Sequence, residues 1–469
     1  MNIKTDRTQL VRIFLLLIFC LAGSSCRKFV DIKRTSTLRI IETTDDCQQI
    51  LDYYNTMNLN DPSDGEASAD NSYLSDAGYN SSSLQSDDRS FYIWDPGAIR
   101  ATAGTQYQPS YYVIYTANLV LENLDKLKGT AAQQVLDNIR GQALFFRGFR
   151  FWGLAQLYAK PYSAATAGQD PGIPIRLGSD INEKSTRGTV QQTYAQIISD
   201  LNQAVSLLPA TSPSATRPNK AAAYAMLARV YLSMEDYGNA LTSATAALQL
   251  NNQLMDFNTV STSSNTPFPR FNKEVIFQAI LSRVPALNPG SASSNIAKIN
   301  PVLYASYASS DLRKTIFFKP NSGANAGTYR FTGNYEPVTS ASLFDGLAVD
   351  ELYLTRAECY ARAGNVTAAL TDLNTLLRTR WVTGQYVDMT AATADQALAI
   401  ILTERRKELV MRGQRWTDLR RLNKDSRFAV TQTRTVAGQT YTLPPNDLRY
   451  TLLIPNEVIV SSGIAQNPR

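Results

Sequence analysis

Two glutamates four residues apart, Glu404 and Glu408, share one face of a helical stretch, with Arg405 and Arg412 nearby. Paired carboxylates are the equipment for acid–base cleavage of a glycosidic bond, which needs one of the two kept protonated in an apolar setting. Arginines at this spacing hold carboxylates ionised instead, so the pattern reads as structural ion pairing. Asp418 and Arg420 are expected in the same network. The 469 residues contain no histidine. That excludes Ser-His-Asp triads, Cys-His pairs, HExxH zinc sites and the facial triad of non-haem iron enzymes. Proton transfer would fall to carboxylates, Lys or Tyr.

Tyrosine is plentiful: 24 Tyr accompany 4 Trp. A sugar ring needs a flat apolar surface for its CH face and polar groups for its hydroxyls, and Tyr and Trp supply both. Residues 58–107 gather Tyr73, Tyr79, Tyr92, Trp94 and Tyr107 among Asp, Asn and Ser. Asp95-Pro96-Gly97 is a turn sequence that would present the Trp94 ring outward; a buried loop anchor is the alternative. A second irregular region, 261–335, adds Tyr304 and Tyr329, with Tyr307 and Tyr335. These tyrosines and Trp94 are the candidate ligand contacts. Asp61, Asp64, Glu66 and Asp70 invite calcium, but the EF-hand spacing fails: with Gly65 sixth, Pro62 falls third and Asn71 twelfth. A solvated acidic loop, with no cofactor, is the reading taken, and an irregular calcium site is its alternative.

The elements that must position these groups are helical. Apolar residues recur at i, i+3, i+4 and i+7, and strand-like alternation is weak. The clearest unit, 218–250, sets Tyr224, Leu227, Ala228 and Tyr231 on one helix against Ala240, Ala244, Ala247 and Leu248 on the next, as in a tetratricopeptide repeat. A second unit spans 349–380, turning at Gly364-Asn365. Looser pairs are expected at 111–140 and 141–208. Such hairpins cannot bury their faces alone and should stack into a curved scaffold. Long loops between them are expected to carry function.

The start of the chain reads as an address. Lys4, Arg7 and Arg12 precede the apolar run 13–22, then Gly23, Ser24, Ser25 and Cys26. This is the layout of a secretory signal, too short to span a bilayer. A Cys after small residues resembles a bacterial lipoprotein box, with Cys26 as the lipidation site. Loss of residues 1–25 would lower the net charge from +6 to +4. Basic residues are spread among acids, which argues against a nucleic-acid partner. Cys47 and Cys359 are distant in sequence, and pairing between them is left open.

Several segments, in order, resemble the SusD/RagB family of Bacteroidetes outer-membrane lipoproteins. They are the start Cys26–Asp31, the helix at Ile114–Leu121, Gly141–Tyr162, the segment "GIPIRLGSD" with the helix ending at Pro209, "LYLTRAECYARAG" with "ALTDLNTLLRTR", Glu404–Leu422, and the ending "LLIPNEVIVSSGIAQNPR". The resemblance implies a mainly helical fold: four tetratricopeptide-like hairpins packed against an irregular, ligand-carrying remainder, as one unit over 26–469. It also implies a non-catalytic nutrient binder at the cell surface, held in the outer membrane by lipid. Its partner would be a SusC-like TonB-dependent transporter, to which it hands an oligosaccharide or, in some members, a peptide. A carboxylate-based glycan-processing enzyme and a purely structural repeat adaptor are the rival classes.

Overall fold

The computed structural model describes residues 41–469. The lipoprotein signal and the Cys26 attachment point lie outside the described residues. Helices of eight residues or more are α1 (Thr44–Leu51), α2 (Tyr107–Lys126), α3 (Gln133–Tyr158), α4 (Val190–Leu207), α5 (Lys220–Ser233), α6 (Tyr237–Leu250), α7 (Val349–Arg362), α8 (Val366–Arg378), α9 (Ala394–Glu408) and α10 (Arg415–Leu422). Neighbours in sequence pack in space from α2 through α8, and α9 lies against α7 and α8. The fold is mainly helical with tetratricopeptide-like hairpins.

Local chemistry sets the helix starts. Asn219, Asp236 and Asn365 each accept a bond from the backbone N–H three residues on, at 2.9, 3.1 and 3.1 Å. Thr189 and Gln192 form a reciprocal capping box at the head of α4. Gly364, at φ +81°, makes the α7–α8 turn in the left-handed region that glycine tolerates. Within the α5–α6 hairpin, Ala221, Ala222, Ala225, Ala228, Ala240, Ala244 and Ala247 are all buried, so the two backbones approach closely.

One expected boundary is absent. The break placed between hairpins at 140 and 141 falls inside α3, which runs unbroken for 26 residues. Gly141 does not end the helix, because it serves packing. A Cβ there would sit 2.9 Å from Leu208 Cγ, so only glycine lets the end of α4 come this close. One helix therefore packs against α2 on one side and α4 on the other.

Between α6 and α7 the chain builds a second core with little helix. Phe257, Phe268, Phe317, Phe318, Phe331, Tyr335 and Phe344 pack there, mostly edge to face at 4.9–6.3 Å. Phe277 belongs to the helical core, its ring 4.7 Å from Phe145 and 5.5 Å from Phe149. It lies on β2 (Val275–Phe277), which pairs with β6 (Leu347–Ala348) just before α7. A four-stranded sheet joins the two irregular regions in the order β1 (Ser72–Tyr73), β3 (Lys298–Ile299), β5 (Tyr329–Phe331), β4 (Phe318–Pro320). Among the described residues no helix is long and apolar enough to cross a membrane. Cys47 and Cys359 are both buried and free.

Candidate functional site

The carboxylates that invited a catalytic reading are held by buried arginines. Arg313 donates to Asp311 at 2.7 Å, Glu404 at 2.6 Å and Glu408 at 2.9 Å. Arg380 donates to Glu408 at 2.7 Å and to Glu274 at 2.9 Å. Lys407 adds a third cation, 2.8 Å from Glu404. Burial alone would raise the Asp311 carboxyl, but Arg313 outweighs it and holds the group below the usual range. Asp418 bridges Arg405 and Arg421. Arg420 departs from expectation: it faces the carbonyls of Ala155, Gln156 and Ala159 at the end of α3 rather than any acid. Burial without an opposing carboxylate lowers it to about 10.

The acidic loop is also occupied, but neither by solvent nor as a cluster. Arg150 holds Asp61 at 2.6 Å, Arg100 holds Asp64 at 2.6 Å, and Arg415 holds Asp70 at 2.6 Å. All of Asp61, Asp64 and Glu66 are buried, which corrects the solvated-loop expectation: the three aspartates each pin the loop to a different arginine. Among the described residues, no group of three or more His, Cys, Asp or Glu is placed to hold a metal ion. Glu66 has only Asn71 at 3.0 Å, and burial raises its carboxyl to about 7.

The predicted aromatics divide into anchors and accessible faces. Trp94 is 4 % exposed. Its Nε1 donates to Ser68 O at 2.9 Å, and Arg434 lies 4.5 Å from its ring. The outward presentation expected from the following turn is therefore corrected. Trp94 itself takes a left-handed backbone, φ +54°, which turns the ring inward under Arg434. Tyr92 is likewise buried: its hydroxyl accepts from Leu74 N at 2.7 Å, and Arg434 stacks 3.9 Å from its ring. Tyr307 and Tyr335 are core residues, their hydroxyls donating to Lys407 O at 2.8 Å and Glu274 Oε2 at 2.6 Å.

The rest are placed differently. Tyr73 and Tyr79 are half-buried, Tyr79 with its ring 5.9 Å from Tyr92. Tyr304 and Tyr329 come together although 25 residues separate them in sequence. Their rings stack at 3.6 Å and 18°, both half-exposed, with the Lys314 ammonium 5.1 Å from the Tyr304 ring. Phe318 braces Tyr304 edge-on at 5.7 Å. Burial, with the neighbouring Tyr329 hydroxyl, pushes the Tyr304 phenol up to about 12, so it stays a neutral donor and acceptor. Tyr107 is buried at the head of α2 and walls a cleft of about 310 Å³, together with Tyr111, Tyr115, Arg176 and Asp180. An adjoining cleft of about 500 Å³ lies between the 184–192 segment and residues 462–465. Sequence reasoning passed over Tyr111 and Tyr115; their i, i+4 spacing at the head of a helix was the available signal.

Sequence profiles of one family match both halves of this arrangement. A SusD-like profile, described as starch-binding associating with outer membrane, matches residues 28–232, and the SusD family profile matches residues 350–456. The chain belongs to the SusD/RagB family. It is 31 % identical over 137 residues to SusD-like protein P2 of Formosa agariphila, a match covering 29 % of this chain and 25 % of that protein's length. Among solved structures it resembles a SusD superfamily protein of Bacteroides thetaiotaomicron, with TM-score 0.74, 22 % identity, and 91 % and 100 % of the two chains covered. A SusD-like carbohydrate binding protein of Bacteroides vulgatus superposes with TM-score 0.69 at 22 % identity, covering 90 % and 97 %. Surface glycan-binding protein A of Bacteroides uniformis gives TM-score 0.71 at 18 % identity, covering 91 % and 99 %.

Proposed function

We propose that this protein binds an oligosaccharide at the Tyr304–Tyr329 pair and delivers it, unchanged, to a SusC-like TonB-dependent transporter. In this reading it is an outer-membrane lipoprotein anchored through Cys26 and acts as the transporter's lid. The observation that carries the binding reading is the stacked pair itself. Two tyrosines fixed against each other and braced by Phe318 lose little freedom when a sugar ring docks, and their hydroxyls and Lys314 offer polar partners. The carbohydrate- and glycan-binding names of two structural neighbours and the family's description support the same class of ligand. A role without turnover is supported by the placement of Glu404 and Glu408, both buried with their oxygens bonded to Arg313, Arg380 and Lys407.

Native gel electrophoresis through neutral polysaccharides such as starch, laminarin or mannan tests the reading. Retardation by at least one is expected, with the double variant Tyr304→Ala, Tyr329→Ala weakening it about tenfold or more. Unchanged retardation of that variant, or none by any glycan, would overturn it. Co-purification of a β-barrel with the lipid-anchored protein from native membranes tests the partner. The concave shape of the α2 cleft favours a second docking place, and Tyr115→Ala distinguishes it: loss of retardation there, with the double variant intact, would move the site.

A further inference from the structure

The two clefts at the head of α2 adjoin, sharing Ser185, Ser462 and Ile464 in their walls. Their volumes, about 310 and 500 Å³, fall in the range that takes small ligands. Their linings differ. The smaller is aromatic. Tyr107 and Tyr111 line it with rings 4.6 Å apart, and the Tyr111 hydroxyl donates to Pro174 O at 2.8 Å. Tyr115 is half-exposed, its ring nearly parallel to that of exposed Tyr112 at 6.2 Å and 21°. Asp180 is the one carboxylate in this lining, and it accepts from Asn182 N at 2.9 Å.

The larger cleft is lined by two cations, Lys184 and Arg187, and by no carboxylate. Lys184 and Thr186 in its wall are exposed, so the space is reached from solvent. Among the described residues Lys184 forms no ion pair, and its neighbour Glu183 lies 3.4 Å from Arg176 instead. Arg187 is half-buried and borders both clefts. Burial raises the Tyr107 and Tyr111 phenols, and Arg187 beside them opposes it. Its own donors go to the carbonyls of Gly172, Ala465, Pro171 and Tyr158 and to Asn467 Oδ1, at 2.8–3.4 Å. Nη1 makes one of these bonds, to Ala465 O, which leaves one of its two N–H groups unused. Desolvation lowers Arg187, and no acid opposes it. A cation partly removed from water without a counter-charge costs stability that an arriving anion recovers.

We propose that the paired clefts bind an acidic oligosaccharide, with a sulfate or carboxylate group between Lys184 and Arg187 in the larger and the adjoining sugar ring against Tyr115 in the smaller. Ser185 and Ser462, on the shared wall, are the polar groups that a bridging sugar hydroxyl meets. The clefts share no residue with the Tyr304–Tyr329 pair, so either site can fail alone.

Calorimetry at physiological salt, on the full protein, compares maltotriose, trigalacturonate, a sulfated galactan tetrasaccharide and pentaglutamate. Short ligands carry few charges, so general attraction to a basic protein is screened and does not mask the site. At least one acidic oligosaccharide is expected to bind at least about tenfold more tightly than maltotriose and than pentaglutamate. The tighter of the two identifies the group as a uronate or a sulfate ester. Lys184→Glu, at an exposed position, should weaken that binding about tenfold or more with the melting temperature unchanged, and Arg187→Gln should weaken it by a similar factor. Lys128→Glu, the same charge change at another exposed lysine, should weaken it less than about twofold. Tyr115→Ala should also weaken it about tenfold. The double variant Tyr304→Ala, Tyr329→Ala should retain it, whatever its effect on neutral polysaccharides. Equal affinity for maltotriose or for pentaglutamate, equal weakening by Lys128→Glu, or undiminished binding in both Lys184→Glu and Tyr115→Ala would overturn the proposal.

Discussion

In the helical body, Arg147, Arg229 and Arg421 meet Asp200, Glu351 and Glu358 through paired bonds of 2.6–2.9 Å. In the loop-built lobe, Lys298, Arg330 and Lys319 meet only carbonyl and amide oxygens. The body mostly uses paired buried charge to fix how helices sit on one another, with Arg420, which meets only carbonyls, as an exception. The lobe leaves charge uncompensated in the same molecule, at a sheet that ties both irregular regions together. The seam between the two regions follows the body's rule: Arg313 and Arg380, from the lobe and the end of α8, clasp the carboxylates of α9.

The comparison is broken most severely at that seam. Arg313→Met leaves Asp311, Glu404 and Glu408 facing one another with only Lys407 and Arg380 to share. Removing one partner of a buried ion cluster costs about 3–5 kcal/mol, and urea unfolding should show a loss of that size. If Lys298→Met stabilises while Arg313→Met destabilises, the two regions differ as described. Equal losses would erase the distinction. Phe277→Ala, which empties the space among Phe145, Phe146 and Phe149, should cost a similar 3–5 kcal/mol or so without touching charge, and separates packing loss from charge loss.

A pair of neighbouring acids sharpens it further. Burial raises Glu66 to about 7, and its Oε2 has no hydrogen-bond partner. Arg415 and Arg406 outweigh burial at Asp70 and lower it to about 2. For Glu66 the folded protein binds the proton more tightly than the unfolded chain, so stability falls as pH rises from about 4.3 through 7. For Asp70 the sign reverses: its contribution is present above about 4 and is lost as pH falls towards 2. Glu66→Gln should therefore stabilise at pH 8 by about 1–3 kcal/mol and do little below pH 4. Asp70→Asn should destabilise at pH 7 by about 2–3 kcal/mol and do nothing near pH 2. Denaturant midpoints across pH would read both, and a Glu66→Gln variant destabilised at pH 8 would refute the assignment.

The body was legible in the sequence because its rules are local. Asn219, Asp236 and Asn365 announce helix starts, and alanines at helical spacing announce close packing. The ion-pair role of Glu404 and Glu408 could be read from neighbouring arginines, though their actual partners, Arg313 and Arg380, came from far along the chain. The lobe resisted because its strands are two or three residues long, too short for alternation to show, so nothing in the pattern put Lys298 beside Arg330. Trp94 misled for a related reason. Asp-Pro-Gly specifies a turn, but whether the ring before it faces in or out depends on Arg434, 340 residues later.

The weakest effect belongs on the body's outer surface, where pairing looks the same but water is present. Asp125 meets Arg140 at 2.7 Å and Lys128 at 3.3 Å, with the Asp125 side chain 56 % exposed. The Arg140 hydrogen bond holds its carboxyl below the ordinary value. Exposed pairs of this kind are screened by salt and lose side-chain entropy on forming, so they contribute about 0–1 kcal/mol. Asp125→Asn should shift the unfolding free energy by less than about 1 kcal/mol, shrinking further at high salt. The same geometry at Arg313 is expected to be worth several times more. If Asp125→Asn instead costs as much as Arg313→Met, pairing distance rather than desolvation governs these bridges, and the contrast between body and lobe loses its physical basis.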